Sequence, residues 1–330
     1  GERVGRNVLH AARPLEAVAD SLGVSMQRAR ADLTRLHARL FAARQERERP
    51  HTDDKVLTEW TAKMAAALAY AGRVFGREDW KRAAERAMTF VTERMITTEN
   101  RLLRRFRGGE AGIHGFLDDY AWSVQAHLEL YEATAQPVWL ERARETARAM
   151  RQRFEDAAVG GFFHTPSDGE VLVARTKPIV GGATPSANAI AAWGLQRLGR
   201  LLLERDWLEA AERTLEVLAP AMRESPSFAS GALIALGYSL GEPYEWVVAG
   251  DPADEIVQEA WRRLQQAYRP LDTLHLRPAV GEEALVRLVP FLAEQGRLPG
   301  ARVTIYRCTD GHCEMPILDL DELAAVLATR

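Results

Sequence analysis

Two pairs of adjacent carboxylates carry the clearest chemical potential in this chain. Asp53-Asp54 follows Arg49-Pro50-His51-Thr52 and precedes Lys55 and Trp60. Asp118-Asp119 follows His114-Gly115-Phe116-Leu117 and precedes Tyr120 and Trp122. Each pair stands where a helix is expected to begin. One Asp there is explained by N-capping and by attraction to the helix dipole; a second is more than capping needs. Paired carboxyls can split their pKa values and act as acid and base, or accept sugar hydroxyls beside aromatic rings. The candidate catalytic set is therefore Asp53, Asp54, Asp118 and Asp119, with Lys55, Trp60, His114, Tyr120 and Trp122 as ligand contacts. Arg49 and Lys55 offer the first pair either a salt bridge or site partners.

A third cluster joins Arg175-Thr176-Lys177 to Gly181-Gly182-Ala183-Thr184-Pro185-Ser186-Ala187-Asn188. Cations, a flexible turn and a helix start bearing Ser186 and Asn188 suit an anionic or polyhydroxylated ligand. Helix capping by Thr184 and Ser186 is the plainer account. A fourth cluster is Cys308, His312 and Cys313. Three soft ligands are one short of a structural zinc site, and the spacing is not that of a finger. A disulfide is compatible but unforced, and a loop before the last helix is the simpler expectation. There is no Walker loop, GxGxxG, GxSxG or HExxH. No metal or cofactor site is expected.

The elements that position these clusters repeat. Trp80, Trp139 and Trp207 each end one amphipathic stretch and open another, in Asp79-Trp80, Val138-Trp139 and Asp206-Trp207. This is the pattern of stacked αα-hairpins, with each Trp packing across a tight turn. Caps and breakers predict roughly eight helices: 25–49 with Ser25 as N-cap and Leu33, Leu36 and Leu40 on one face, 53–75 capped by Asp53, 78–96, 115–131, 138–154, a pair from 185 broken near 205–206, and 227–240. The links alternate between tight turns at Trp and long glycine-bearing loops at 99–115 and 160–186. The second loop reads as a β-hairpin, residues 161–165 and 171–173 around Ser167-Asp168-Gly169. Beyond Pro243, strands at 244–249, 273–276 and 303–306 alternate with helices at 253–268, 282–295 and 320–328, a small α/β module.

Lys+Arg is 43 against Asp+Glu 46, a net charge of −3, which argues against a nucleic-acid or membrane-surface protein. Only Lys55, Lys63, Lys81 and Lys177 are lysines, a bias toward Arg that reads as base composition. No apolar run is long enough to span a bilayer. Two cysteines and the lack of a visible signal peptide fit a cytoplasmic protein.

Taken together, Arg-Pro-x-x-Asp-Asp-Lys-x-Leu-x-x-Trp (49–60), Gly-Phe-Leu-Asp-Asp-Tyr-Ala (115–121), Leu-Tyr-Glu-Ala-Thr (130–134) and Arg-x-Lys followed by Pro-Ser-x-Asn (175–188) resemble the YyaL-type thioredoxin-domain-containing proteins, the family of spermatogenesis-associated protein 20. The resemblance runs from Asn7-Val8-Leu9-His10 to Cys308, Cys313 and Pro316. It implies a mainly α fold: antiparallel helical hairpins of an (α/α)6 toroid, of the six-hairpin glycosidase and N-acylglucosamine 2-epimerase kind, incomplete here, then the small α/β module. It also implies a thioredoxin-like domain and further toroid helices that this chain lacks. The chain, which starts at Gly1 without Met, is thus expected to begin partway through a larger protein and to expose apolar helix faces. The expected organisation is an N-terminal strap and first long helix at 1–52, the toroid portion at 53–242 and the α/β module at 243–330. Three positions depart from the family pattern: Thr61 for Asn, Gly182 for Asp and Ala187 for Gly.

The resulting expectation is a toroid that binds or acts on a small sugar-like ligand through the paired Asp residues, with Arg175, Lys177, Ser186 and Asn188 as further contacts. The loss of a carboxylate at Gly182 motivates the alternative, a non-catalytic binding or scaffold module that works with a thioredoxin-like domain. No nucleic-acid or membrane partner is expected.

Overall fold

The computed structural model describes residues 10–328. Gly1–Leu9, which include the start of the family resemblance, lie outside them. The chain divides into two compact units after Asp54. In the first, α1 (Leu15–Leu22) and α2 (Met26–Gln45) form a helical hairpin. Ser25 caps α2, its hydroxyl accepting the Arg28 amide at 3.2 Å. The helix stops at Gln45 rather than Arg49, and Leu33, Leu36 and Leu40 on its expected apolar face are exposed.

The second unit opens with β1 (Val56–Leu57), then α3 (Thr58–Val74) and α4 (Glu78–Arg94). The expected helix start at Asp53 is corrected: Asp53 and Asp54 lie in exposed, irregular chain ahead of β1, and the helix begins at Thr58. The reason is strand pairing, since β1 joins β2 (Leu103–Arg107), which turns into β3 (Glu110–His114). Gly108 and Gly109 both hold positive φ in that turn, the geometry of a tight hairpin. The segment 99–115 is therefore a hairpin rather than a loop. Its strand Leu-Arg-Arg-Phe-Arg has too little apolar alternation to announce itself.

Next come α5 (Leu117–Thr134), α6 (Pro137–Phe154), α7 (Ala187–Leu202), α8 (Arg205–Glu224) and α9 (Ser230–Leu240). Residues 10–240 thus hold nine helices; the short α1 is the one the caps did not reveal. Hairpins α3–α4, α5–α6 and α7–α8 stack in chain order, and α3, α5, α7 and α9 neighbour one another as an inner row. This is the stacked-hairpin arrangement of the αα-toroid fold class. The central helix α5 is buried nearly all round. The helices at the two ends of the row carry exposed apolar side chains: Trp60, Met64 and Tyr70 on α3, Leu233, Ile234 and Leu240 on α9. Trp139 and Trp207 are buried at their hairpins, and Trp80 meets Phe75 edge-on across the α3–α4 turn.

The expected hairpin at 160–186 does not form. Val171 and Val173 are fully exposed, while Phe162 is buried and pinned to Asn188. The segment is held by side chains instead of a strand ladder.

The α/β module contains β4 (Glu245–Gly250), α10 (Glu255–Gln266), β5 (Thr273–Pro278), α11 (Glu283–Leu288), a short 3-10 turn (Pro290–Ala293), β6 (Val303–Thr309), β7 (His312–Cys313) and α12 (Leu320–Ala328). Pro290 breaks the single helix expected at 282–295. The sheet order is β5-β4-β6-β7, with β4 and β5 parallel and the others antiparallel. Residues 308–313 are not a plain loop: they form the β6–β7 hairpin, closed by a Cys308–Cys313 disulfide. Val247, Ala249, Tyr306 and Cys308 belong to the same apolar core as α3–α7, so the module and the helices fold as one unit. No helix among the described residues is long and apolar enough to cross a membrane.

Candidate functional site

Two neighbouring arrangements on the inner helices bear on function: a buried carboxylate knot at the start of α5, and a cavity further along the same row.

Asp119 is fully buried. Its Oδ1 accepts the Glu59 amide in the first turn of α3 at 3.0 Å, and its Oδ2 accepts the Phe116 amide at the start of α5 at 2.9 Å. Arg104 on β2 donates to the same Oδ2 at 3.1 Å and reaches the Glu59 carboxylate at 3.6 Å. Asp119 therefore caps two helices and joins them to the hairpin. Burial pushes its carboxyl up to about 6, against the Arg104 charge and the two backbone donors. Asp118 points elsewhere, with Oδ2 3.4 Å from His164 Nδ1. Burial disfavours its charged form, but the hydrogen bond and charge of His164 and the Lys63 ammonium outweigh it and hold Asp118 below the usual range.

The cavity encloses about 710 Å³. Lys63, Tyr70 and Arg73 of α3, Trp122, Gln125, Glu129 and Glu132 of α5, Trp193 and Arg197 of α7 and Tyr238 of α9 line it. Gln265 at the end of α10, Tyr268 in the α10–β5 connection and the segment Ala183–Pro185 complete the wall. Its floor is a buried ion network. Arg197 binds Glu129 at 2.6 Å, Glu132 at 2.8 Å and Gln125 Oε1 at 2.9 Å. Arg73 reaches Glu132 at 3.2 Å and Glu129 at 3.4 Å. Two guanidinium groups thus balance two carboxylates. Around them three aromatic rings carry cations: Lys63 over Trp122, Arg73 over Tyr70 and Arg197 over Trp193, at 5.2, 5.0 and 5.5 Å. Lys63 also bonds Glu59, which links the cavity to the Asp119 knot.

Of the residues singled out from sequence, Trp122 lines this cavity, and Thr184 and Pro185 border it. Tyr120 is core, its ring against Phe154 and its hydroxyl accepting the Leu102 amide. His114 is exposed at the end of β3 beside Arg101. Trp60 is exposed at the start of α3. Asp53 and Asp54 belong to the first unit, and Lys55 opens the second. Arg175 bonds the Thr165 carbonyl, Lys177 bonds Gly160 and Asp156, and both cations flank the Phe163 ring. Asn188 is buried and bonds Phe162 on both its backbone groups and the Pro178 carbonyl. Ser186 caps α7 through the Ala189 amide. The third cluster thus anchors the 160–186 segment to α7.

Sequence reasoning missed Gln125, Glu129, Glu132, Trp193 and Arg197. A signal existed: Gln125, Glu129 and Glu132 recur at helical spacing on one face of an otherwise apolar helix. Among the described residues no cluster of three or more His, Cys, Asp or Glu could hold a metal ion.

No protein-family model matches the chain. Spermatogenesis-associated protein 20 of Rattus norvegicus is 32% identical over 337 aligned residues, 99% of this chain and 43% of the relative. The Homo sapiens protein of the same name is 31% identical over the same share. The chain therefore spans under half the length of these relatives. Among solved structures, cellobiose 2-epimerase from Bacillus thermoamylovorans B4167 aligns with a TM-score of 0.47 at 13% identity, over 67% of this chain and 62% of that one. Unsaturated glucuronyl hydrolase from Bacillus sp. GL1 aligns with a TM-score of 0.41 at 18% identity, over 52% and 49%. Over nearly its whole length, this chain is a homologue of a segment of spermatogenesis-associated protein 20.

Proposed function

We propose that this protein binds a small, sugar-like polyhydroxylated ligand in the cavity over α3, α5 and α7. The observation that carries the reading is the lining: aromatic faces of Trp122, Trp193 and Tyr70 around a polar floor of Gln125, Glu129, Glu132 and Arg197. Aromatic faces pack against the C–H surface of a sugar ring, while the amide, carboxylates and guanidinium exchange hydrogen bonds with its hydroxyls. A buried charge network adds little stability over apolar packing of the same volume, so its presence at a cavity floor favours a binding role.

Acid–base chemistry, if the ligand is also transformed, falls to Asp118 with His164, next to the Lys63 end of the cavity; Asp119 holds the helices that position them. Asp53 and Asp54 remain candidates from sequence for the same chemistry. The second reading, binding without turnover, is favoured by one observation: both cavity carboxylates are already neutralised by Arg197 and Arg73.

The test is titration calorimetry of the purified protein against monosaccharides, disaccharides and nucleotide sugars, with Trp122→Ala and Trp193→Ala beside it. The proposal expects one class to bind and each variant to weaken it at least tenfold. Binding that survives both variants, or no binding across the panel, overturns it. Turnover of the bound sugar that Asp118→Asn abolishes separates the enzymatic reading from the binding one.

A further inference from the structure

The Cys308–Cys313 disulfide has an asymmetric setting. Cys308 is 1% exposed, on the face of the sheet that meets the helices, whereas Cys313 is exposed on β7. Glu245 of β4 stands directly opposite Cys308 in the strand register, so the two side chains project from the same face. Glu245 is itself buried and accepts the Gly311 amide of the hairpin turn at 3.2 Å. Burial pushes its carboxyl above the usual range, raising its affinity for a proton. On the exposed side, Gln295 Nε2 donates to Cys313 Sγ at 3.7 Å. The bond spans only five positions and closes a hairpin already paired by backbone register. Such a short closure restrains the unfolded chain least, so structural stability is a weak reason for it.

We propose that Cys308 and Cys313 form a thiol–disulfide exchange site, with an external dithiol as co-reactant and Glu245 as proton carrier for the buried sulfur. One thiolate of the dithiol attacks Sγ of Cys313, the reachable sulfur. A mixed disulfide forms, the Cys308–Cys313 bond breaks, and its electron pair leaves on Cys308 Sγ, which takes the Glu245 proton. The second thiolate of the dithiol then attacks its own sulfur in the mixed disulfide. Cys313 departs as a thiolate, held by the Gln295 N–H until solvent protonates it. The dithiol ends as a disulfide and the protein as two thiols, with two electrons and two protons passed on; the reverse reaction oxidises the protein. Glu245 regains its proton from solvent at the hairpin edge. Asp310 in the turn raises its proton affinity and Arg200 on α7 lowers it.

The experiment equilibrates native protein in buffers of reduced and oxidised dithiothreitol, quenches with acid, and counts alkylated thiols by mass, with reduction rates followed from pH 5 to 9. The proposal expects complete, reversible reduction without denaturant and an unchanged circular-dichroism spectrum. It expects Glu245→Gln to slow native reduction at least fivefold and flatten its pH profile, and Glu245→Asp to recover part of the rate. Asp310→Asn should shift the profile to lower pH without flattening it. Reduction only after denaturation shows a structural bond and overturns the site. Reversible reduction with the same pH profile in Glu245→Gln overturns the proton-carrier role. The wild-type measurement decides the first question even if a variant fails to fold.

Discussion

Asp119 Oδ1 accepts the backbone N–H of Glu59, 60 positions earlier in the chain, at 3.0 Å. The first turn of α3 is therefore capped by a side chain from α5, while Leu57, at its own N-cap position, contributes no side-chain bond. The same carboxylate closes the start of α5 and holds Arg104. Asp119→Ala opens two helix starts and leaves a guanidinium facing a buried void. The expected cost is about 3–5 kcal/mol, the range for breaking a buried pair. Asp118→Ala, which removes the His164 contact and the attraction of Lys63 at a partly exposed site, should cost about 1 kcal/mol or less. Urea denaturation of the two variants checks the contrast, and equal losses would refute the division of roles.

That relationship also shows what the sequence carries and what it hides. The Asp118-Asp119 pair is visible as more than one cap requires, and the excess has a use: the second carboxylate serves a different helix. Nothing local says which helix. Asp53-Asp54 has the same appearance, yet β1 pairing delays the helix to Thr58 and Asp119 takes over the cap. The hairpin repeat, the tight turns at Trp80, Trp139 and Trp207 and the α/β order were legible because they rest on period and local breakers. The hairpin β2–β3 and the bond between Cys308 and Cys313 rest on pairing between strands, which local pattern does not encode. The cavity floor was hidden for a further reason. Arg197 meets Gln125, Glu129 and Glu132 only after α5 and α7 pack side by side.

The floor of the cavity gives a second contrast. Arg197→Met leaves Glu129 and Glu132 buried with Arg73 alone, and should lower stability by about 3–5 kcal/mol. Replacing Arg73, Arg197, Glu129 and Glu132 together by Met, Met, Leu and Leu removes the charges as a set and should bring stability back to within about 2 kcal/mol of the parent. Ligand binding should stay lost in both. A quadruple variant that still binds the parent's ligand would detach the network from function.

Adjacent glycines that lead into the cavity wall should respond oppositely. A Cβ on Gly182 meets nothing within 4 Å, whereas on Gly181 it would lie 2.9 Å from the Thr184 carbonyl and 3.1 Å from that of Phe228. Gly181 also donates its amide to Phe228 across the base of α9. Gly181→Ala should therefore cost about 1–3 kcal/mol through backbone displacement. Gly182→Asp, the residue the family pattern carries there, should change stability by no more than about 0.5 kcal/mol. Thermal melts of the two variants read this directly. Because Gly182 adjoins the cavity residue Ala183, the tolerated Asp also tests chemistry: new turnover of a bound sugar would mean that the missing carboxylate is what separates this chain from an active enzyme.

Acid should destabilise the protein through two histidines the fold keeps uncharged. His127 stacks on Trp139 with neither ring nitrogen hydrogen-bonded, and burial together with the Arg142 charge pulls its pKa down to about 3. His275 bonds Tyr131 between β5 and α5, and burial lowers it to about 4 despite a backbone contact at Leu201. In the unfolded chain both rings take a proton near pH 6.5. Between about 6.5 and 4 the unfolded state thus binds more protons, and stability falls as pH drops through that window. Asp119 has the opposite sign. Its folded carboxyl keeps a proton up to about 6 and its unfolded one only to about 4, so its contribution is full below 4 and is lost as pH rises through 6. Two rings against one carboxyl leave a net loss of about 2 kcal/mol from pH 7 to 5. His127→Phe keeps a ring against Trp139 and deletes one of the two protonation sites. Its melting temperature should fall less steeply between pH 7 and 5 than the parent's, and parallel curves would show that His127 is not held neutral by the fold.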